Sequence, residues 1–270
     1  MLRRAQSYTR CRIGGKLLPY SSRCAIATPL AVSLRRNDDE YALAMAEVTG
    51  NVLLVIGASG VLGSEIARQL EAEGATVVRA GRNVRHLSGA GTLVADLTAE
   101  TAASEIVAAA VASHGRLDGV VIAAGVVAFG PVGEVSDETL DQLFIVNALG
   151  PIRVIREATA HLTVSAAAGH KPFIVTISGI VAESPTPGLA AYSASKAALA
   201  AFMQAASREM RRSGIRVLDS RPGHTETGLA SRAIAGVAPA FAPGLDPVAV
   251  AARIVRGIID DEKDLPSSSF

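Results

Sequence analysis

The sequence is poor in the residues that build disulfides, thiol sites and aromatic cores. Its 270 residues contain no tryptophan and two cysteines, Cys11 and Cys24, so the chain after residue 24 has no thiol. That part therefore cannot form a disulfide, a cysteine metal site or a cysteine nucleophile. The five histidines show no short metal-ligand spacing, and no stretch reaches the roughly 20 apolar residues of a membrane span. We therefore expect neither a metal site nor a membrane segment.

Acidic side chains are absent before Asp38, in a stretch that holds eight of the 26 basic residues. This Arg- and Ser-rich composition fits an organellar transit segment, and equally a disordered tail or a start codon placed upstream of Met45. From Asn37 onward, 18 basic residues accompany all 25 acidic ones, and this balance indicates no nucleic-acid partner. We predict a basic, disordered extension over 1–44 and a folded body over 45–270. We expect a cytoplasmic protein, with organellar targeting by residues 1–44 left open.

Tyrosine is also scarce, because the body holds a single one, Tyr192. Tyr192 and Lys196 lie four residues apart in a helical pattern, and residues at that spacing share one face of a helix. An ammonium close to a phenol favours the phenolate and lowers the pKa of the phenol from its usual value of about 10. The pair therefore predicts a tyrosine that serves as a general acid or base. The alternative is a helix that packs one aromatic side chain and exposes one lysine.

A glycine-rich turn follows the first apolar run of the body and precedes an amphipathic stretch. The turn carries Gly57, Gly60 and Gly63, and a second apolar run comes next. Strand, turn, helix and strand in this order are the context of a dinucleotide-binding fingerprint, in which the backbone approaches a pyrophosphate at a helix N-terminus. Glycines also serve ordinary tight turns, so the prediction rests on the context.

Apolar, strand-like runs alternate with stretches of helical periodicity along the body. This alternation predicts one α/β domain, a doubly wound parallel sheet with strand order 3-2-1-4-5-6 and a ligand at the carboxyl ends of the strands. The polar, Ser-rich tail shows no clear seventh strand. The strand-like runs lie at 51–56, 75–80, 91–94, 118–123, 172–178 and 215–219, and the main helical stretches at 62–73, 99–114, 137–166 and 191–213.

Five motifs, in the same order as in the family, make the body resemble the short-chain dehydrogenases/reductases over about Val48 to Ile259. The resemblance implies a Rossmann fold and an NAD(P)-binding catalytic domain over 45–270. It also implies that Tyr192 exchanges a proton with the substrate oxygen during hydride transfer. Lys196 would lower the pKa of that tyrosine and hold the nicotinamide ribose, and Asn147 would anchor a water that links Lys196 to solvent. The family's other motifs coincide with Asp96, beside the adenine, and with Pro222-Gly223 and Thr227, beside the nicotinamide.

The family's catalytic serine is missing, because position 179 is a glycine. Ser178 stands one residue earlier, and adjacent side chains of a regular strand point to opposite faces. Ser178 can therefore replace the missing hydroxyl only if the strand bulges or turns at Gly179. We nominate Ser178 as the fourth catalytic residue, with Ser184 in the following loop as another candidate. Without a replacement, the loss of one polarising hydrogen bond typically costs about 10²–10³ in rate.

The end of the second strand favours NADP over NAD. NAD-preferring folds place an acidic residue there to bind the ribose hydroxyls, whereas this chain has Gly81 followed by Arg82. A guanidinium can pair bidentately with the 2′-phosphate of NADP, and Arg79 is a second candidate. The alternative is a solvated loop arginine. The predicted cofactor-binding residues are Gly57, Ser59, Gly60, Gly63, Arg82, Asp96, Leu97, Ala124, Gly125, Lys196, Pro222, Gly223 and Thr227.

We therefore predict an NADP-dependent oxidoreductase that interconverts a carbonyl and an alcohol of a small molecule. Gly179 suggests an alternative, a dinucleotide-binding module with weak or no catalysis, and the glycine spacing suggests a third, an epimerase or dehydratase on sugar nucleotides. Arg221 and His224 flank the Pro-Gly loop, where they are either solvated or in contact with a substrate or cofactor phosphate. Alanine-rich faces at 137–166 and 191–213, whose helices pair in the family, predict a homodimer or homotetramer.

Overall fold

The computed structural model describes residues 48–87, 89 and 91–270, and the predicted extension over 1–44 lies outside these described residues. The described residues form seven β-strands, six α-helices and a π-helical segment, Ile145–Leu149. The strands are β1 (Val52–Ile56), β2 (Thr76–Gly81), β3 (Thr92–Val94), β4 (Gly119–Ile122), β5 (Phe173–Ile177), β6 (Arg216–Ser220) and β7 (Asp264–Leu265). The helices are α1 (Val61–Ala72), α2 (Ala102–His114), α3 (Asp137–Phe144), α4 (Gly150–Ala167), α5 (Ala190–Met210) and α6 (Pro247–Ile259).

The seven described strands form one parallel sheet in the order β3-β2-β1-β4-β5-β6-β7. The predicted doubly wound order is therefore confirmed. The chain crosses from one half of the sheet to the other between β3 and β4, so the strand order reverses beside β1 and β4. This is the point at which a doubly wound sheet opens a crevice outside the carboxyl ends of its strands.

Helices cover both faces of the sheet, which explains why β1 and β4 are buried at every position instead of alternating. Side chains of α2, α4 and α5 pack with Leu54, Val120 and Ile174 on one face. Side chains of α1 and α6 pack with Leu53 and Val175 on the other. The core is mostly aliphatic, and Phe173 is the aromatic residue among the buried side chains of the described residues.

Two elements near the C-terminus were not predicted. Helix α6 begins after Asp246, whose carboxylate accepts hydrogen bonds from the N–H groups of Val248 and Ala249. Strand β7 pairs with β6, and the N–H of Arg221 donates to the carbonyl of Leu265 at 2.9 Å. The expectation of no seventh strand is therefore wrong. A strand of two residues is too short to show the periodicity from which strands are predicted.

Candidate active site

A cleft of about 560 Å³ opens at the carboxyl ends of the strands. Its walls are the glycine turn after β1, the ends of β2 and β4, the loops after β5 and β6, and the first turns of α5. Asn147 is fully buried beside the cleft. The other predicted site residues all line it, namely Gly57, Ser59, Gly60, Gly63, Arg82, Asp96, Leu97, Ala124, Gly125, Ser178, Tyr192, Lys196, Pro222, Gly223 and Thr227.

The glycine turn is compact because its backbone leaves no room for side chains. A Cβ on Gly63 would lie 2.3 Å from the carbonyl oxygen of Gly57, and one on Gly57 would lie 2.6 Å from the amide nitrogen of Ala124. Gly57 also has a φ of 84°, in the left-handed region that favours glycine. Gly60 is the N-cap of α1 and has no side chain to cap the first N–H groups. The positive end of α1 therefore faces the cleft, where an anionic group fits.

The end of β2 is closely packed against the glycine turn and carries no acidic side chain. A Cβ on Gly81 would lie 2.6 Å from the Oγ atom of Ser59, so Ser59 fills the space that an acidic side chain would need. Arg82, Asn83 and His86 line the adjoining part of the cleft. Arg79, the second arginine considered, is buried and pairs with Glu71 of α1 at 2.8 Å. Arg82 is therefore the arginine that faces the cleft.

Tyr192 and Lys196 both line the cleft from α5. The Nζ atom of Lys196 donates a hydrogen bond to the carbonyl of Ile177 at 2.8 Å. Burial lowers the pKa of Lys196 to about 8, against an opposing pull from Asp219. Burial also raises the pKa of Tyr192 to about 12, so the expected lowering of this pKa is not seen. The cause of the rise is burial, which disfavours the charged phenolate.

Asn147 lies in the π-helical segment between α3 and α4. Its Nδ2 atom donates to the carbonyl of Val126 at 2.9 Å and to the hydroxyl of Ser195 at 3.0 Å, and its Oδ1 atom accepts from the N–H of Val126 at 2.9 Å. A Cβ on Gly125 would lie 3.3 Å from both Asn147 Oδ1 and Lys196 Nζ, so these groups meet at one point. The side chain of Asn147 thus joins the loop after β4 to α5.

Ser178 does not supply the missing serine hydroxyl in this arrangement. It is fully buried, and its hydroxyl donates to the Oδ2 atom of Asp219 at 2.5 Å. The chain turns at Gly179, which has a φ of 75°, and the proton of the Ser178 hydroxyl is engaged by the carboxylate of Asp219. Ser184 is exposed and lies outside the cleft lining. Thr186, two residues later, does line the cleft and is the hydroxyl of this loop that sequence reasoning missed.

The two residues that flank the Pro-Gly loop have different environments. His224 lines the cleft, and its ring lies 4.7 Å from the ring of Phe241. Arg221 is not a solvated loop charge, because it is buried and its guanidinium pairs with Asp219, Glu183 and Asp264. The sequence signal for this cluster was a carboxylate, Asp219, within the apolar run 215–219.

Part of the cleft wall is aromatic. The Phe241 ring lies 6.0 Å from the Phe129 ring, and both side chains line the cleft together with His224. Phe241 is the one aromatic residue in the Ala-, Gly- and Pro-rich stretch 229–245, and this contrast marks it in the sequence. These side chains give the cleft an apolar, aromatic wall.

The comparisons with known proteins agree with this geometry. The family model described as short chain dehydrogenase matches residues 51–237. The chain belongs to the short-chain dehydrogenase/reductase family. It is therefore an NAD(P)-dependent oxidoreductase of the short-chain type, as the sequence predicted.

Individual members of the short-chain dehydrogenase/reductase family match most of the chain. An uncharacterized oxidoreductase of Methylorubrum extorquens is 34% identical over 205 residues, which cover 71% of this chain and 80% of that protein. An uncharacterized oxidoreductase of Staphylococcus epidermidis is 31% identical over 191 residues, covering 68% of this chain and 81% of that protein. A solved short-chain dehydrogenase from Streptomyces avermitilis is 27% identical, with a TM-score of 0.71 over 82% of this chain and 90% of that one.

The cleft of this short-chain dehydrogenase/reductase fits a nicotinamide dinucleotide. The uncapped N-terminus of α1 suits a pyrophosphate, and the glycine turn lets the backbone approach it. Within residues 48–87, 89 and 91–270, no group of three or more His, Cys, Asp or Glu side chains is placed to hold a metal ion. In the same part of the chain, no helix combines the length and the hydropathy needed to cross a membrane.

Proposed function

We propose that the protein is an NADP-dependent reductase and dehydrogenase that interconverts a carbonyl and an alcohol of a small molecule, with Tyr192 as the general acid and base. The observation that carries this proposal is the position of Tyr192 and Lys196 in the cleft that also contains the glycine turn and Arg82. A proton donor, a cation and a dinucleotide cradle therefore share one cavity. We also propose that residues 45–270 are the catalytic domain.

Tyr192 is suited to proton donation in the reductive direction. When bound, the nicotinamide cofactor supplies or accepts the hydride. A pKa of about 12 keeps the phenol protonated at neutral pH, and a phenol is a far stronger acid than the alcohol that forms from the carbonyl. Tyr192 then gives its proton to the carbonyl oxygen. Lys196 carries a positive charge below its pKa of about 8 and stabilises the phenolate that results.

The other predicted polar residues, Asn147 and Ser178, hold the active site in shape and are not assigned a step in proton or hydride transfer. Asn147 holds the loop after β4 against α5, which fixes the place of Lys196 relative to Gly125. Because the Ser178 hydroxyl donates its hydrogen bond to Asp219, we assign Tyr192 alone as the hydrogen-bond donor to the substrate oxygen. An enzyme that lacks one polarising donor is expected to be slower by about 10²–10³ than one that has it.

NADP is the proposed cofactor because the end of β2 excludes a carboxylate and offers a cation. Ser59 occupies the space beside Gly81, and Arg82 lines the cleft directly after it. The planar guanidinium of Arg82 matches a 2′-phosphate in charge and geometry.

The test is a turnover assay of the full chain with NADPH and a panel of ketones and aldehydes. We expect NADPH oxidation with at least one carbonyl compound, and we expect Tyr192→Phe to abolish it while NADPH binding is retained. Ser184→Ala, which removes an exposed hydroxyl outside the cleft lining, is the control and should keep full activity. A Tyr192→Phe variant as active as the parent would refute the proposed role of the phenol.

A second candidate is a dinucleotide-binding module without turnover. Gly179 at the serine position and the engaged hydroxyl of Ser178 favour it. This module would bind NADPH tightly, as followed by cofactor fluorescence, and would oxidise none of it with any carbonyl compound. In that case Lys196→Ala would change the affinity for NADPH and nothing else.

A further inference from the structure

A carboxylate that the proposed mechanism does not use lies beneath the active-site helix. Asp219 is 6% exposed, at the end of β6. Its Oδ1 atom accepts a hydrogen bond from the hydroxyl of Thr176 at 2.7 Å, and its Oδ2 atom accepts from Ser178 at 2.5 Å and from Arg221 at 3.1 Å. An anion removed from water to this extent needs compensation, and these three donors provide it.

The strand geometry directs this carboxylate toward α5. Side chains two residues apart on a strand share a face. Val217 on β6 and Ile174 on β5 pack in the cluster that contains Leu199 and Met203 of α5. Asp219, two residues after Val217, therefore faces α5, the helix that carries Lys196.

The ammonium of Lys196, on α5, binds the same short segment of chain as Asp219. It donates to the carbonyl of Ile177, the residue between Thr176 and Ser178, whose hydroxyls both bind Asp219. The cation and the anion thus bind three consecutive residues, Thr176 and Ile177 of β5 and Ser178 directly after it.

Arg221 does not fully neutralise the negative charge of Asp219. Its guanidinium has two further carboxylate partners, Glu183 and Asp264, and the contact with Asp264 is bidentate at 2.7 and 2.8 Å. Two carboxylates are enough to neutralise one guanidinium, so the negative charge of Asp219 remains available to a second cation.

We propose that Asp219 is a positioning residue of this active site, which keeps the buried ammonium of Lys196 protonated and in place. The catalytic meaning of this role rests on the proposed function of Tyr192 and Lys196. A buried amine tends to lose its proton, because a low dielectric disfavours the charged form, and a nearby carboxylate opposes that tendency. The pKa of about 8 for Lys196 reflects both effects, burial as the larger one and Asp219 as the opposing one.

The other charged or titratable groups near Lys196 have a smaller effect on its protonation than Asp219 has. Tyr192 is neutral at physiological pH, and Arg221 is itself neutralised by its partners. The groups that face this region are Tyr192 from α5, Asp219 and Arg221 from β6 and the residue after it, Glu183 from the loop after β5, His224 from the loop after β6, and Asp264 from β7.

The scarcity of lysine permits a direct measurement in the full chain. A sample labelled with ¹³C at the lysine ε-carbon gives four signals, from Lys16, Lys171, Lys196 and Lys263. A Lys196→Arg variant identifies the signal of interest. We expect Lys196 to titrate with a pKa of about 8 in the parent protein.

Two aspartate-to-asparagine variants distinguish the proposed role of Asp219 from a general disturbance of the ion pairs of Arg221. Asp219→Asn and Asp264→Asn each remove one carboxylate partner of Arg221. The two carboxylates share a face of the sheet, but Asp219 is buried on the strand next to β5, whereas Asp264 is exposed on the edge strand, one strand farther from Lys196. We expect Asp219→Asn to lower the pKa of Lys196 by about one unit or more, and Asp264→Asn to lower it by clearly less. In the reductive assay, the high-pH limb of kcat/KM should move with that pKa, a loss of roughly fivefold at pH 8 for Asp219→Asn.

A further variant, expected to raise the pKa of Lys196 instead of lowering it, keeps the proposal testable if Asp219→Asn does not fold. Arg221→Gln removes a cation beside Asp219, so the pKa of Lys196 should rise. A pKa of Lys196 that stays put in Asp219→Asn, or that fails to rise in Arg221→Gln, overturns the proposal. Because the titration needs neither cofactor nor turnover, a shifted lysine in a protein that reduces no carbonyl compound would refute the proposed function and leave the role of Asp219 intact.

Discussion

At the scale of single residues, the proposed preference for NADP rests on a side chain that is present and on one that is absent. Arg82 lines the cleft directly after β2, whereas Ser59 fills the space that a side chain at Gly81 would occupy. The site thus lacks both the acidic residue that binds ribose hydroxyls and the room for it. A simple Gly81→Asp exchange should therefore strain the turn rather than produce an NAD enzyme.

The first prediction concerns Arg82 and its neighbour Arg85. Arg82→Ala should raise KM for NADPH by about 10- to 100-fold and leave KM for NADH within about twofold, because a charge-assisted hydrogen bond contributes roughly 1.5–3 kcal/mol. Arg85→Ala is the matched control, since Arg85 lies three residues farther along the same basic segment and outside the cleft lining. Steady-state kinetics with both cofactors measure the effect. Equal losses for NADPH and NADH would contradict a 2′-phosphate contact.

The site residues that the sequence predicted are those whose role depends on spacing along the chain. Tyr192 and Lys196 share a helix face, and the glycine turn is contiguous, so local geometry was sufficient. Asp219 was missed because its importance comes from Thr176, Ser178 and Arg221, which only folding brings around it. The pKa of Tyr192 was misjudged for a related reason, because burial is a property of the assembled structure.

At the scale of elements, the glycine turn and α1 act as one unit. The turn places Gly57 against the end of β4, and Gly63 places the first turn of α1 against Gly57. The close approach leaves the N-terminus of α1 directed at the cleft. Packing and phosphate binding therefore depend on the same missing side chains.

The second prediction tests this unit with Gly63→Ala. The new methyl group would lie 2.3 Å from the carbonyl oxygen of Gly57, so the backbone must shift. We expect a loss of about 1–3 kcal/mol in the free energy of unfolding, measured by urea denaturation, together with weaker NADPH binding. Gly133→Ala is the control, because a Cβ there meets no atom within 4 Å, and it should change stability by less than about 0.5 kcal/mol. Similar stabilities of the two variants would mean that the turn is not tightly packed.

Elements with strong periodicity or long apolar runs were predictable, and elements defined by tertiary contacts were not. The runs for β1 to β6 and the helical stretches for α1 and α5 agree with the structure to within one to three residues at their ends. The π segment at Asn147 interrupts a helix predicted as continuous, and the side chain of Asn147 binds Val126 and Ser195, partners that only folding brings next to it. Strand β7 exists because Arg221 and Leu265 pair across the sheet edge, and two residues carry no pattern.

At the scale of the whole molecule, one helical surface remains without a partner in the described chain. The exposed side of α5 is alanine-rich, with Ala190, Ala194, Ala201 and Ala205. Next to it in the same layer, α4 and the π segment expose Val164 at 69% and Leu149 at 45%. Surface helices usually present charged side chains to water, so an exposed face made of small apolar residues fits close helix packing between subunits.

The third prediction is that the protein is a homodimer or homotetramer, and that α5 contributes to the interface. Light scattering at micromolar concentration should give two or four times the chain mass. Ala201→Glu places a charge on the exposed face of α5 and should lower the mass toward that of a monomer, since burying an unpaired carboxylate is costly. Ala112→Glu makes the same exchange at an exposed alanine of α2 and should leave the assembly unchanged. A parent protein of monomer mass would contradict the prediction, and equal dissociation of both variants would remove α5 from the interface. Helix propensity favours neither outcome, because both sites exchange an exposed helical alanine for glutamate, so a difference between the variants must come from contacts between subunits.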